Sequence, residues 1–220
     1  MSDTIFVTGG TGYIGSRLIP RLMQRNHRVT ALVRHGSERK LAAGAQGVVG
    51  NPLEPNSYAQ HISPADTFIH LIGVPHPSPS KAQQFREIDL VSIQVAIKAA
   101  QDAGVRHFIY LSVAHPAPAM KEFIAVRQEG EEMIRAAGIN ATFVRPWYVL
   151  GPGHRWPYPL IPIYWLLRHV PSTREAATRL GLVTIGQMLR TLVWAAENPP
   201  IGIQILDVPR IREIGRVAMR

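Results

Sequence analysis

Four glycines stand close together in the run TGGTGYIGSRL (8–18), near the start of the chain. Gly10, Gly12 and Gly15 fit the spacing G-x-G-x-x-G, and Gly9 with the last two fits G-x-x-G-x-x-G. Glycine permits a tight turn, close approach of backbone to a pyrophosphate, and close contact between a helix and a strand. The run follows a strand-like segment and precedes a helix-like one, whose free N–H groups would face phosphates. The pattern predicts a dinucleotide-binding loop, with a ligand-free glycine turn as the alternative.

A basic residue, Arg34, ends the next strand-like segment, and no acidic residue occurs before Glu38. A site for NAD usually has Asp or Glu about 20 residues after the loop, where it binds the ribose 2′-hydroxyl. An arginine there can instead form a charge-assisted pair with the 2′-phosphate of NADP. Arg34 therefore favours NADP(H) over NAD(H), and a solvated arginine at a strand end is the alternative.

The segment MKEFIAVRQEGEE (120–132) is rich in helix formers and contains no proline. A spacing of four places Phe123 and Arg127 on one face of the predicted helix. Phenylalanine cannot donate a proton, and arginine keeps its proton near neutral pH, although it can hold a ribose or stabilise negative charge. Other residues that could donate a proton are Ser112, His115, Tyr148 and His154. For each of these four taken alone, a packing or surface role is the favoured interpretation.

The composition excludes several classes of site. The chain has no cysteine, and its nine histidines form no H-x-x-x-H pair, so we predict no disulfide, no thiolate nucleophile and no metal site. The absence of cysteine fits a cytoplasmic location. The net charge is +9, but Lys and Arg are scattered along the sequence, which favours an anionic ligand over nucleic acid as the partner. No signal peptide is visible, and no apolar run approaches the roughly 20 residues that a membrane span needs.

Short β-rich runs alternate with helix-length segments through most of the chain, which predicts an α/β class with βαβ units and a parallel sheet. The predicted strands are 5–9, 27–34, 47–50, 66–73, 105–112, 140–146 and 202–208. The predicted helices are 13–26, 81–103, 120–132 and 185–197, the last with Thr184 as N-cap. We predict one domain over 1–220, in which 151–220 contributes a small cap on the substrate side.

The run TGGTGYIG, the length of 220 residues and RPWYVLGPG (145–153) together resemble the short-chain dehydrogenase/reductase superfamily. The similarity covers most of residues 4–153 and is greatest to the extended and atypical branches, which include epimerase/dehydratase-like and NAD(P)H-binding proteins. It implies a doubly wound Rossmann sheet with a cofactor at its carboxyl edge. The contacts implied for the phosphates, adenine, ribose and nicotinamide are Gly9, Thr11, Gly12, Tyr13, Ile14, Asn51, Pro52, Leu53, Leu71, Ile72, Gly73, Pro146, Trp147, Tyr148 and Val149.

The same resemblance identifies what is missing. The family's catalytic helix carries Tyr-x-x-x-Lys, and the matching residues here are Phe123 and Arg127, while Ser112 stands where the family has a catalytic Ser or Thr. The tyrosine-driven mechanism is therefore not expected. Hydride transfer itself does not need a tyrosine, because it requires only a positioned cofactor and stabilisation of the developing charge. We therefore expect Ser112 to orient the substrate. We expect Arg127 to hold the ribose or to stabilise charge.

Three functions remain open from the sequence. The first is an NADP(H)-dependent oxidoreductase acting on a small apolar compound, and the second is a non-catalytic NADP(H)-binding sensor or assembly module. The third is a sugar-nucleotide epimerase or dehydratase, against which the missing tyrosine and short C-terminal part argue.

The apolar segment PYPLIPIYWLL (157–167) has three possible roles. It would line a pocket for an apolar or aromatic substrate, form the core of the cap, or present a patch to a partner or membrane with Arg155 and Arg168. The oligomeric state is left open.

Overall fold

The structure, a computed structural model, describes residues 3–153 and 157–216. Seven parallel strands form one sheet in the order β3-β2-β1-β4-β5-β6-β9. Their bounds are β1 Thr4–Thr8, β2 Arg28–Val33, β3 Gln46–Val49, β4 Thr67–His70, β5 His107–Leu111, β6 Ala141–Val144 and β9 Ile203–Leu206. Two further strands, β7 Tyr148–Leu150 and β8 Leu182–Thr184, form a separate parallel pair. The predicted parallel α/β sheet is confirmed.

Helices cover both faces of the sheet. Their bounds are α1 Gly15–Gln24, α2 Ala82–Gln84, α3 Val91–Asp102, α4 Lys121–Ala136, α5 Leu160–Leu167, α6 Arg174–Arg179, α7 Ile185–Glu197 and α8 Val208–Ile214. A π-helical stretch, Phe85–Leu90, joins α2 to α3, so the single helix predicted over 81–103 is interrupted. The predicted N-cap of α7 is confirmed, because Thr184 Oγ1 accepts a hydrogen bond from the backbone N–H of Gln187 at 3.2 Å.

The alternation of side chains along each strand builds two separate cores. On one face, Ile5, Ile69 and Ile109 lie in the core that α1, α7 and α8 cover. On the other face, the buried aromatic residues of β1, β4, β5 and β6 lie under α3 and α4. They are Phe6, Phe68, Phe108, Tyr110 and Phe143. Successive residues of a strand point to opposite faces, so a sheet buried on both sides reads as a continuous apolar run.

The strand order reverses between β1 and β4, which are hydrogen-bonded neighbours in the centre of the sheet. The chain leaves β1 through α1 toward one face and leaves β4 through α3 toward the other. In doubly wound sheets, a crevice at the carboxyl ends of the strands opens at this point and receives the ligand. We therefore expect the residues that follow β1 and β4 to line the ligand site.

The C-terminal third does not form one separate unit. Helix α7 packs in the same core as α1, and β9 pairs with β6 as the seventh strand of the main sheet. The part that lies outside these layers consists of β7, β8, α5 and α6. The single domain over 1–220 and the substrate-side cap within 151–220 stay predictions, and apolar periodicity alone could not show that the last strand extends the main sheet.

Candidate cofactor site

The glycine loop, residues 9–15, connects β1 to α1 at the carboxyl edge of the sheet. Gly9 has a φ of +77°, and a Cβ on it would lie 2.9 Å from the carbonyl carbon of Leu71. A Cβ on Gly15 would lie 2.7 Å from the Cα of Gly10. Larger residues at Gly9 and Gly15 would therefore separate the helix from the strands.

The same loop presents backbone donors. Within the described residues, the N–H groups of Thr11, Ile14 and Gly15 donate to no protein acceptor, whereas Gly12 donates to the carbonyl oxygen of Gly9 at 3.0 Å. The positive end of the α1 dipole lies at these groups, and Arg17 is one turn further along the helix. The guanidinium of Arg17 stacks over the ring of Tyr13 at 4.3 Å. Free N–H groups, a helix N-terminus and a nearby cation together fit the pyrophosphate of a dinucleotide.

Arg34 follows β2 directly, and its side chain is exposed. Among the described residues, no carboxylate pairs with it. The nearest acid in the sequence, Glu38, is already engaged, because its Oε1 accepts a hydrogen bond of 3.1 Å from the N–H of Gly36. That bond and a further one from its own N–H lower the pKa of Glu38. The end of β2 thus offers a free cation.

Asn51 begins a tight turn after β3. Its Oδ1 accepts a hydrogen bond from the N–H of Leu53 at 3.1 Å, and its amide nitrogen donates to Glu54 at 2.8 Å. The turn that contains Pro52 is therefore held by the side chain of Asn51 itself. The Oδ1 atom retains one lone pair for a second donor.

Leu71, Ile72 and Gly73 follow β4 and connect the glycine loop to α4. The N–H of Leu71 donates to the carbonyl oxygen of Thr8 at 3.1 Å, and the backbone of Leu71 lies against Gly9. A Cβ on Gly73 would collide with the Nη2 atom of Arg127. The structure therefore brings the sequence-predicted residues of β1, β4 and α4 together at one edge.

Arg127 is almost fully buried and already has several partners. Its Nη1 donates to the carbonyl oxygen of Leu111 at 2.9 Å, and its Nη2 donates to that of Ile72 at 3.2 Å. Its Nη2 also donates to Asp89 Oδ2 at 2.8 Å. Burial raises the pKa of the Asp89 carboxyl, while the Arg127 charge and the N–H of Val74 oppose that shift. Arg127 thus joins the ends of β4 and β5 to the π-helical stretch.

Phe123 lies one turn before Arg127 in an apolar environment. Its ring packs against Phe85 with centroids 5.1 Å apart, and the Arg127 guanidinium lies 5.2 Å from its centroid. Phe123 and Arg127 share one face of α4, as their spacing predicts. A hydroxyl at position 123 is absent, and the guanidinium at 127 is bound by protein groups, so these two positions supply no proton relay.

Ser112 is directed into a buried polar cluster. Its hydroxyl donates to Glu131 Oε1 at 2.6 Å, and Arg145 Nε donates to the same oxygen at 2.8 Å. His115 Nε2 lies 3.8 Å from that carboxylate. Burial alone would raise the pKa of Glu131, but His115, Arg145 and Ser112 outweigh it and lower that pKa to about 2. The only proton of the Ser112 hydroxyl is therefore directed to a carboxylate, so its predicted catalytic role stays a prediction.

The segment after β6 closes the other side of the edge. Pro146 accepts a hydrogen bond from the N–H of Ala114 at 2.9 Å, and Tyr148 and Val149 lie in β7 opposite Leu182 and Val183. The ring of Trp147 lies 5.3 Å from that of Tyr148. Burial and the neighbouring Tyr148 raise the pKa of Tyr164, against a hydrogen bond with Trp147. The candidate donor His154 lies outside the described residues.

Four buried polar residues at this edge were not predicted from the sequence. They are His70, Asp89, Tyr110 and Glu131. Two of them had a usable signal. Asp89 falls on the apolar stripe of the helical segment with Ile93 and Ala96, and Glu131 continues the four-residue spacing of Phe123 and Arg127. An acid on the buried stripe of a predicted helix indicates a buried cation as its partner.

Residues 3–153 and 157–216 contain neither a metal-binding cluster nor a membrane-spanning helix. No group of three or more His, Asp or Glu side chains is placed to hold a metal ion. In the same ranges, no helix is long and apolar enough to cross a membrane.

Comparison with known proteins identifies the family. A protein-family model described as NAD(P)H-binding matches residues 9–154. The chain is 26% identical over 211 residues to the ceramide reductase of Caulobacter vibrioides (strain NA1000 / CB15N), covering 94% of this chain and 65% of that protein. It is 24% identical over 168 residues to the 4-hydroxy-2-methyl-3-oxo-4-farnesyl-3,4-dihydroquinoline-1-oxide ketoreductase of Stigmatella aurantiaca, covering 66% of this chain and 50% of that protein. The chain thus spans between half and two thirds of the length of these relatives.

A solved structure supports the fold. The Bordetella bronchiseptica enzyme WbmH in complex with NAD+ superposes with a TM-score of 0.71 at 20% identity, covering 98% of this chain and 80% of that one. The family match spans the glycine loop, the five strands β2–β6 and α4. The chain therefore belongs to the NAD(P)H-binding family.

Proposed function

We propose that this protein is an NADP(H)-dependent oxidoreductase that acts on a small apolar carbonyl or unsaturated compound. The observation that carries the proposal is the open glycine loop followed by an exposed, unpaired Arg34 at the end of β2. The N–H groups of Thr11, Ile14 and Gly15 would bind the pyrophosphate, and Arg34 would bind the 2′-phosphate. Asn51, Pro52 and Leu53 would border the adenine.

The remaining cofactor residues would bind the other half of the molecule. Leu71, Ile72 and Gly73 would border the ribose, and Pro146, Tyr148 and Val149 would border the nicotinamide. The bound cofactor supplies or accepts the hydride. We assign Arg127 a positioning role, because its donors fix the backbone at Ile72 and Leu111.

Proton transfer needs a group other than the usual tyrosine. We propose Tyr148 for this role, since it carries a phenolic hydroxyl and follows β6 at the predicted nicotinamide side. Phe123 has no hydroxyl, Arg127 is held by protein groups, and Ser112 donates its proton to Glu131, so none of these three is available as the proton donor. The named activities of the two curated relatives, a ceramide reductase and a ketoreductase, support an apolar carbonyl substrate.

The test is a titration of the purified protein with NADPH and then with NADH, followed by quenching of tryptophan emission. We expect NADPH to bind at least about ten-fold more tightly, because a charge-assisted hydrogen bond contributes roughly 1.5–3 kcal/mol. Equal binding of the two cofactors would contradict the role of Arg34. Oxidation of NADPH in the presence of apolar ketones then tests catalysis.

A second candidate function is a non-catalytic NADP(H)-binding sensor or assembly module. It is favoured by the packing of Phe123 and the burial of Arg127, which close the usual catalytic position. The double variant Phe123→Tyr with Arg127→Lys distinguishes the two. Activity that appears only in the variant would identify the native chain as a degenerate enzyme, whereas native activity that the variant loses would support a different mechanism.

A cytoplasmic location also stays a prediction.

A further inference from the structure

Helix α5 is apolar on every side, yet none of its residues is buried. Its sequence is LIPIYWLL, and its most exposed side chains are Ile163, Trp165 and Leu166, at 51%, 63% and 59% exposure. A helix that is apolar all round normally lies inside a protein or in contact with lipid. The exposed apolar surface of α5 therefore needs a partner that this chain does not supply within its described residues.

One side chain attaches the helix to the body of the protein. Tyr164 is half-buried and packs against the core of the α1 and α7 face, close to Trp147 and Tyr148. This contact fixes α5 at the carboxyl edge of the main sheet and turns its other side chains outward. The apolar surface is thus held in place by the fold and lies beside the candidate cofactor site.

The surroundings of α5 are basic. Residues 157–174 contain no Asp or Glu, and Arg168, His169 and Arg174 are exposed. Arg168 and Arg216 both lie near Arg212, and burial together with the charges of these two neighbours lowers the pKa of Arg212. The acids that follow Arg174 and Arg212 in sequence are already paired, Glu175 with Arg179 at 3.0 Å and Glu213 with Arg210 at 2.7 Å. Several arginines therefore lie beside an exposed apolar helix, and these acids do not neutralise their charge.

We propose that α5 and the neighbouring arginines Arg168, Arg174 and Arg216 form a docking surface for an anionic phospholipid bilayer. Apolar side chains of α5 enter the boundary between headgroups and acyl chains, and the arginines contact the phosphates. A second copy of this chain is a poorer occupant, because a two-fold interface would place the same arginines against each other. The proposal does not rest on the proposed function, since lipid binding can be measured without cofactor or substrate.

The first experiment is co-sedimentation of the full chain with vesicles of phosphatidylcholine alone and with vesicles of equimolar phosphatidylcholine and phosphatidylglycerol. We expect binding at least about ten-fold tighter to the anionic vesicles, because each basic residue at such a surface contributes roughly five-fold. High salt should release the protein, and tryptophan emission should shift to the blue on binding as Trp165 enters an apolar environment. Absence of binding to anionic vesicles would overturn the proposal.

Two pairs of variants locate the surface. Ile163→Ser with Leu166→Ser should abolish vesicle binding, whereas Ile201→Ser, which changes a fully exposed isoleucine at the opposite edge of the sheet, should not. Arg168→Gln with Arg174→Gln should weaken binding to anionic vesicles at least about ten-fold, whereas Arg28→Gln should have little effect. Circular dichroism and NADPH titration show whether each variant keeps its fold.

The oligomeric state tests whether a second copy of this chain, instead of a bilayer, covers α5. Sedimentation velocity should give the same species for the native chain and for the Ile163→Ser, Leu166→Ser variant. If the native chain is a dimer and this variant is a monomer, a second copy covers α5 and the proposal is wrong. If the variant binds vesicles as well as the native chain does, α5 is not the docking surface.

Discussion

Asp89 Oδ2 accepts a hydrogen bond of 2.8 Å from Arg127 Nη2, and both side chains are almost fully buried. Arg127 lies one turn after Phe123 on α4, with its guanidinium 5.2 Å from the centre of the Phe123 ring. The pair fixes the guanidinium against the ends of β4 and β5, where a lysine would leave the carbonyl oxygens of Leu111 and Ile72 with fewer donors. Arg127 is therefore part of the structural support of the sheet edge at which the glycine loop lies.

Because of this pairing, we expect a single variant that removes Arg127 to lose more stability than a double variant that removes both Asp89 and Arg127. Arg127→Met should lower the free energy of unfolding by about 3–5 kcal/mol, because it leaves the buried Asp89 without a cation. The double variant Asp89→Leu with Arg127→Met should recover at least half of that loss. Urea unfolding of the native chain, both single variants and the double variant measures the coupling. Additive losses would show that the two side chains do not stabilise each other.

The glycine loop predicts a loss of cofactor binding without a loss of fold. A Cβ on Gly12 would lie 3.2 Å from the carbonyl oxygen of Gly9, a close contact that a small shift can relieve, but it would occupy the surface that faces the phosphates. Gly12→Ala should weaken NADPH binding at least about ten-fold and leave thermal stability nearly unchanged. Gly186→Ala is the matched control, because a Cβ there would make only ordinary van der Waals contacts, with Arg190 at 3.7 Å and Thr184 Oγ1 at 3.8 Å. Equal NADPH affinity in both variants would contradict a phosphate site at this loop.

The two ends of β2 provide a matched test of cofactor choice. Arg34→Ser removes the exposed cation at the carboxyl end, and Arg28→Ser removes one at the amino end of the same strand. Arg34→Ser should weaken NADPH binding roughly ten- to a hundred-fold and leave NADH binding unchanged, since only NADPH carries the 2′-phosphate. Arg28→Ser should change neither affinity. Parallel losses for NADPH and NADH in Arg34→Ser would indicate a role other than 2′-phosphate recognition.

The sequence predicted the features that depend on neighbouring residues. The seven main strands, the glycine loop and the start of α7 follow from periodicity, glycine spacing and capping chemistry over a few residues. The same local rules placed Phe123 and Arg127 on one helix face. The two short strands of the β7–β8 pair were missed, because runs of three residues carry too little periodicity.

The polar contacts at the cofactor edge depend on distant residues and could not be predicted in this way. Asp89 and Arg127 are separated by 38 positions, and their contact requires β4 and β5 to be neighbours in the sheet. Ser112 and Glu131 meet only because α4 returns over the end of β5. The direction of the Ser112 hydroxyl, toward Glu131, is therefore a property of the tertiary structure.

Two buried histidines predict how stability depends on pH. Burial lowers the pKa of His70 to about 3, with a contribution from the Arg127 charge, and burial lowers that of His107 to about 4. Their ordinary value is 6.5, so below this pH the unfolded chain binds protons that the folded chain does not. These residues therefore contribute stability above pH 6.5, and that stability is lost as the pH falls from 6.5 toward 4.

Each histidine should approach a slope of about 1.4 kcal/mol per pH unit as its unfolded form becomes fully protonated, so the free energy of unfolding should fall by about 2 kcal/mol per unit between pH 6.5 and about 5. Urea unfolding across this range measures the slope. His107→Gln, which can still hydrogen-bond to Thr142, should halve it, whereas the exposed His61→Gln should leave it unchanged. A native slope near zero would mean that His70 and His107 titrate alike in the folded and unfolded chain, and that their burial does not exclude the charged form.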